Sequence, residues 1–195
     1  MEKYVERFLL ASLFGSDYGK PDSDPVTIAI RRAYRDFCRT IRDKNNPIIS
    51  NLEATFKATR IVINQHISSL LKGNKDYDEW HKILCAAIVE KGYTFGQAQK
   101  WVNMTMKYLI VLDYAPVFKY FDYLHVPIDT IVINNAIDNK IIDEVERERY
   151  LPWSTSLNNN DDHNYYGKFQ SKIRRHVEDK HISPIEWEFG AWNEK

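Results

Sequence analysis

Apolar residues recur at three- and four-residue steps through most of the chain, the period of a helix with one buried face. Tyr4, Val5, Phe8, Leu9 and Leu13 set this rhythm at the start, before Gly15, Gly19 and Pro21 break it. Asp24-Pro25 then supplies an N-cap and a proline at the first helical position. Val26, Ile30, Ala33, Phe37, Cys38 and Ile41 mark the inward stripe of a second helix running to about Lys44. A third helix opens at Pro47, turns Leu52, Phe56, Ile63, Ile67, Leu70 and Leu71 inward, and stops at Gly73. A fourth begins near Asp78, buries Trp80, Ile83, Leu84, Ala87 and Ile88, and ends at Gly92.

Thr94 and Gln97 have the spacing of a capping box, so a fifth helix begins there and reaches roughly Leu112. The aromatic stretch from Tyr114 to Leu124 reads as a short helix wedged against the core. Pro127 disfavours helix at the residue before it, and Asp129 is placed to cap a helix through Ile137. Leu151 to His163, with Pro152-Trp153-Ser154 and the polar run Asn158 to Asp162, lacks periodicity and reads as the longest loop. Tyr166, Phe169, Ile173 and Val177 mark the next helix. Ser183-Pro184-Ile185-Glu186 opens the last one, which carries Trp187, Phe189 and Trp192. With no alternating strand and no internal repeat, the expectation is an all-α bundle of about eight to ten helices, a single domain over residues 1–195.

Composition narrows the class. No stretch of the 195 residues is rich enough in Gly, Pro and Ser to be an interdomain linker, and no apolar run is long enough to cross a bilayer. Met1-Glu2-Lys3-Tyr4-Val5-Glu6-Arg7 lacks the layout of a signal peptide, so the expectation is a soluble cytoplasmic protein. Cys38 and Cys85 each sit in an apolar helical pattern and read as reduced core residues. The six histidines show no paired metal-ligand spacing, and Gly-rich phosphate loops are absent, so neither a metal nor a cofactor is expected. Lys+Arg and Asp+Glu are each 27, which leaves an anionic partner to be judged from local clusters.

Those clusters begin on the fifth helix, where Gln97, Lys100, Asn103 and Lys107 share one face opposite Trp101, Val102, Tyr108, Leu109 and Leu112. They read either as the solvated side of an amphipathic helix or as a lysine at the mouth of a cleft. A lysine that is partly desolvated, or beside another cation such as Lys107, becomes a usable amine nucleophile. Arg31, Arg35, Arg39 and Arg42 step along one face of the second helix, interrupted by Asp36 and Asp43. Such a ridge could track a nucleic-acid backbone or simply face solvent. Lys168, Lys172, Arg174, Arg175 and His176 have the same two readings. Trp153, Tyr165 and Tyr166 could stack on an extruded base or edge the core.

Lys100-Trp101-Val102-Asn103-Met104, followed by Val126-Pro127-Ile128-Asp129-Thr130-Ile131-Val132, resembles the two active-site segments of the helix-hairpin-helix DNA glycosylase superfamily, nearest its archaeal 8-oxoguanine branch. Gly92-Tyr93-Thr94-Phe95-Gly96-Gln97 stands where the superfamily's Gly-rich hairpin would be. The resemblance implies a base-excision glycosylase, with or without strand-cleaving lyase activity, acting on double-stranded DNA. Lys100 would attack the sugar C1′ and form a Schiff base, and Asp129 would stabilise the positive charge that develops as the base leaves. Gln97, Asn103, Lys107 and Trp153 would support substrate binding. Two other readings stand beside it. One is a non-enzymatic helical interaction module, for instance in bacterial phage defence; the other is a small-molecule enzyme using the Lys100 amine.

Overall fold

Capping chemistry places most helix starts where the sequence puts them. Asp24 accepts hydrogen bonds from the Val26 and Thr27 amides at 3.2 and 3.0 Å, with Pro25 behind it. Thr94 and Gln97 complete their capping box, Asp129 accepts from the Val132 amide, and Ser183 and Glu186 exchange bonds across the last N-terminus. Each cap satisfies amides that have no partner inside the helix and contributes about 1 kcal/mol.

The structure is a computed structural model that describes residues 2–15, 18–20, 23–41, 51–73, 76–157 and 164–193. The described residues form ten α-helices and two 3₁₀ segments, with no strand, so the fold is all-α. In chain order they are α1 (Glu2–Phe14), α2 (Pro25–Phe37), α3 (Leu52–Lys72), α4 (Tyr77–Val89) and α5 (Phe95–Val111), then α6 (Thr130–Asp138), α7 (Glu144–Tyr150), α8 (Trp153–Ser156), α9 (Tyr165–Glu178) and α10 (Pro184–Asn193). The 3₁₀ segments are Cys38–Thr40 and Ala115–Tyr123, the second being the aromatic stretch after α5.

Helix α5 is the axis of the molecule. Every residue from Gly96 to Leu109 is buried, and α2, α4 and α8 pack around it. Trp101 is its anchor: the indole donates to the Ile30 carbonyl at 3.0 Å and stacks on Phe56 with an interplanar angle of 7°. One hydrophobic cluster gathers α2 to α5 with the aromatic 3₁₀ segment. A second gathers residues of α6, α7 and α9 with Val126, Ile128 and Trp187. Phe95 and Trp153 pack against both, so the seam between the clusters runs beside the start of α5.

Several local expectations fail, among them an inward Leu52, which is exposed at the start of α3; packing decides what periodicity only suggests. The α1 stripe meets the core only at its end: Tyr4, Val5, Phe8 and Leu9 are exposed, Leu13 is partly buried against the core, and Phe14 alone in that helix is fully buried. Ile83 is half exposed on α4, where His81 and Cys85 take the buried positions instead. The stretch read as one long loop begins with the short helix α8, whose Ser154 carbonyl accepts from the Thr94 hydroxyl. Gly96 makes this approach possible, since a Cβ there would lie 2.1 Å from the Trp153 carbonyl oxygen. Helix α7 was missed because only Tyr150 of it is buried and the short segment shows little periodicity, although Asp143 and Glu146 have the capping-box spacing that marks its start. Lys44, Pro47, Arg42, Asp43 and the run Asn158 to Asp162 lie outside the described residues.

Candidate functional site

A buried helix that carries Gln97, Gln99, Lys100, Asn103, Thr105 and Lys107 must satisfy every one of those polar groups internally. The partners divide them. Gln97 donates to the Thr40 hydroxyl at 3.2 Å. Thr105 turns back to the Trp101 carbonyl. Gln99 and Asn103 face the segment Val126–Ile128. Lys100 and Lys107 point to a separate cavity. Of the two readings of this face, the solvated one fails, and its four residues do not act together: Asn103 and Gln97 do not line the cavity that takes the two lysines.

That cavity has a volume of about 620 Å³, within the range of about 300–1,000 Å³ common for small-molecule sites. At one side the Lys100 ammonium lies 2.5 Å from Asp129 Oδ2, with side-chain exposures of 4% and 13%. The other carboxylate oxygen of Asp129 caps α6 through the Val132 amide at 2.9 Å, so one residue fixes both the helix start and the ion pair. Trp153, Met104, Tyr108, Phe189 and Trp192 supply aromatic and apolar wall.

Lys107 forms the second charged centre. Its ammonium is 2.5 Å from Glu188 Oε2 and sits 4.6 and 5.4 Å from the ring centroids of Phe189 and Trp192. Glu188 is fully buried, and its other oxygen accepts from the Trp192 indole at 2.8 Å. Burial holds the Lys107 ammonium below the usual lysine range, opposed by the attraction of Glu188 and reinforced by the nearby charge of Lys100. Glu188 is a partner that sequence reading missed. Its signal was a carboxylate one residue from both Trp187 and Phe189 in the apolar last helix.

The arginine ridge is divided among different tasks. Arg32 pairs with Asp36, which also accepts from the Tyr108 hydroxyl at 2.7 Å. Arg39 stands exposed at the rim of the 620 Å³ cavity, with no carboxylate partner among the described residues. Arg31 and Arg35 line a different hollow, of about 240 Å³, with Phe14 and Ile28. In the second basic cluster, Arg174 is committed to a two-pronged pair with Asp78 at 2.7 and 2.6 Å, and Lys172 to Glu146.

A polar chain on the far side of α5, running inward from the exposed Asp78, was also missed. Asp78 accepts from His125 Nε2, His125 Nδ1 meets the Tyr166 hydroxyl, each at 2.7 Å, and that hydroxyl lies 3.1 Å from His81 Nε2. Asn103 closes the chain, its amide nitrogen 3.0 Å from the Tyr166 hydroxyl and its carbonyl oxygen 2.9 Å from His81 Nε2. Burial holds both imidazoles below the ordinary histidine range. The available signal was His81 itself, which falls on the inward stripe of α4 beside Tyr77, Trp80 and Leu84.

No group of three or more His, Cys, Asp or Glu side chains among the described residues could hold a metal ion, and no helix there is long and apolar enough to cross a membrane. No protein-family model, no curated protein and no solved structure matches this chain.

Proposed function

We propose that the chain excises damaged or modified bases from double-stranded DNA, with Lys100 as nucleophile and Asp129 as its electrostatic partner. The observation that carries this reading is the convergence of the Lys100 amine and the Asp129 carboxylate, 2.5 Å apart, on one aromatic-walled cavity of about 620 Å³. Cleaving an N-glycosidic bond sends the bonding electron pair to the departing base and leaves positive charge on the sugar. A fixed carboxylate stabilises that charge, and an amine can capture it. Lys100 begins as the ammonium of an ion pair, so it gives up a proton before it attacks, and the departing base nitrogen is the natural acceptor. The C1′–O4′ bond then breaks as the nitrogen lone pair forms the C=N bond of the Schiff base, and the proton released from that nitrogen passes to O4′.

Other features fit the same chemistry. Reaching C1′ requires the nucleotide to leave the duplex, and the Trp153, Phe189 and Trp192 rings offer faces for an extruded base. Arg39 at the rim, with no carboxylate partner among the described residues, offers a cation to a flanking phosphate. Helices α4 and α5 are joined by a turn in which Gly92 has φ +96°, and the second of them carries Lys100.

Borohydride trapping on duplexes carrying 8-oxoguanine, uracil or an abasic site tests the reading. The expected result is a covalent adduct with wild type, none with Lys100→Gln, and a rate lower by about two orders of magnitude with Asp129→Asn, which keeps an acceptor for the α6 cap. No adduct on any duplex, together with no salt-sensitive DNA binding, would discard it. A second reading, a protein-interaction module, is favoured by the exposed apolar face of α1, where Tyr4 is 79% and Phe8 69% exposed.

A further inference from the structure

Residues 125–128 link the 3₁₀ segment to α6 outside any helix or strand, with Val126 and Ile128 fully buried. A buried stretch outside any helix still has to satisfy its amides and carbonyls, and the described residues contain no strand to pair with it. Side-chain amides take that role. Gln170 accepts from the Val126 amide at 3.1 Å and donates to the Val126 carbonyl at 2.8 Å. Gln99 does the same for Ile128, accepting from its amide at 3.2 Å and donating to its carbonyl at 2.9 Å. Pro127 between them has no N–H to satisfy.

The two clamps differ in their chain neighbours. Ile128 immediately precedes Asp129, whose own backbone is extended, and Gln99 immediately precedes Lys100. Two consecutive residues of α5 therefore grip two consecutive residues of the opposing segment: Gln99 holds Ile128 by its backbone, and Lys100 meets the Asp129 carboxylate. The Gln99 amide is itself immobilised, since its nitrogen also donates to the Gly96 carbonyl and its oxygen also accepts from Asn103, and the residue is fully buried. Asn103, placed by the sequence among substrate-binding candidates, thus belongs to this scaffold and adds its own bond to the Val126 carbonyl.

We infer that Gln99 is the positioning residue that sets Asp129 against Lys100, an inference whose catalytic consequence rests on the base-excision reading above. The backbone clamp fixes the level of the 128–129 segment along α5, and the ion pair forms at the distance that level dictates. Gln170, gripping the same segment three residues before Asp129, stabilises it without setting that distance.

The test compares Gln99→Met with Gln170→Met, since each removes one two-bond clamp while nearly keeping side-chain volume. Both are measured well below their melting temperatures. The first readout needs no substrate: the ¹⁵N–¹H signal of the Lys100 ammonium, assigned by its loss in Lys100→Gln, persists only while the carboxylate slows proton exchange. The expected result is loss of this signal in Gln99→Met and its retention in Gln170→Met. The second readout is borohydride trapping at saturating protein on an abasic duplex. Gln99→Met should trap slower by about tenfold or more with unchanged duplex affinity, because misplacing a reacting group costs rate rather than binding. Gln170→Met should trap at close to the wild-type rate. Retention of the ammonium signal in Gln99→Met, or equal loss in both variants, would overturn the inference. If wild type itself gives no adduct, the excision reading falls, and the ammonium signal alone decides the positioning role.

Discussion

Replacing Glu188 with glutamine removes the charge that compensates Lys107 while leaving the shape of the site nearly unchanged. The Trp192 indole keeps its acceptor, because the glutamine oxygen can take the place of Glu188 Oε1. What is lost is the counter-charge 2.5 Å from an ammonium whose side chain is 9% exposed, opposite a carboxylate that is fully buried. Breaking a buried pair from one side costs about 3–5 kcal/mol, because the remaining charge stays desolvated. The rings of Phe189 and Trp192 near the ammonium offset about 1–2 kcal/mol at most, and they offset it in both proteins. For a chain of this size each kcal/mol corresponds to about 2–4 °C, so Glu188→Gln should melt about 6–20 °C below wild type at pH 7. The pH dependence carries the diagnostic sign. An uncompensated buried ammonium relieves itself by losing its proton, so the deficit should shrink as pH rises from 7 towards the ordinary lysine range. Thermal melts followed by circular dichroism, with Lys107→Met/Glu188→Gln as the second corner of the comparison, measure both. A loss below about 1 kcal/mol, or a deficit that grows with pH, would refute the description of this pair as buried and mutually dependent.

The packing carries two more expected outcomes. His81 and His125 are held neutral by burial, so the unfolded chain binds more protons than the folded one as pH falls below the ordinary histidine range. Stability should be full above about pH 6.5 and decline below it, before the Asp78 carboxylate, held down first of all by its hydrogen bond with Arg174, begins to lose its own contribution below about pH 4. Urea midpoints at a series of pH values check this, and a flat profile from neutral pH down to the carboxylate range would contradict it. Gly96→Ala places a methyl 2.1 Å from the Trp153 carbonyl oxygen, whereas Gly190→Ala meets nothing within 4 Å. The first should lose about 1–3 kcal/mol and shift α8, while the second should gain up to about 1 kcal/mol from helix propensity; equal effects in thermal melts would refute the close approach of α8 to α5.

The class of fold and most helix starts are legible in the residues alone. Helical periodicity and caps are local: Asp24, Thr94, Asp129 and Ser183 each satisfy amides within three residues, so their roles can be read without knowing what packs nearby. Lys100 and Asp129 were legible as a pair through the resemblance of their surrounding segments, and the fold does bring them together. Which faces are buried is settled only once the helices assemble. Helix α1 leaves Tyr4, Val5, Phe8 and Leu9 of its apolar stripe exposed, while residues Gly96 to Leu109 of α5 are all buried, because neighbours rather than periodicity remove a surface from water. Packing also sets partnership across long separations. Glu188 reaches Lys107 across 81 positions, Tyr166 reaches His81 across 85, and Gln99 reaches Ile128 across 29. A buried polar group must find a partner, but which partner it finds depends on how the helices pack.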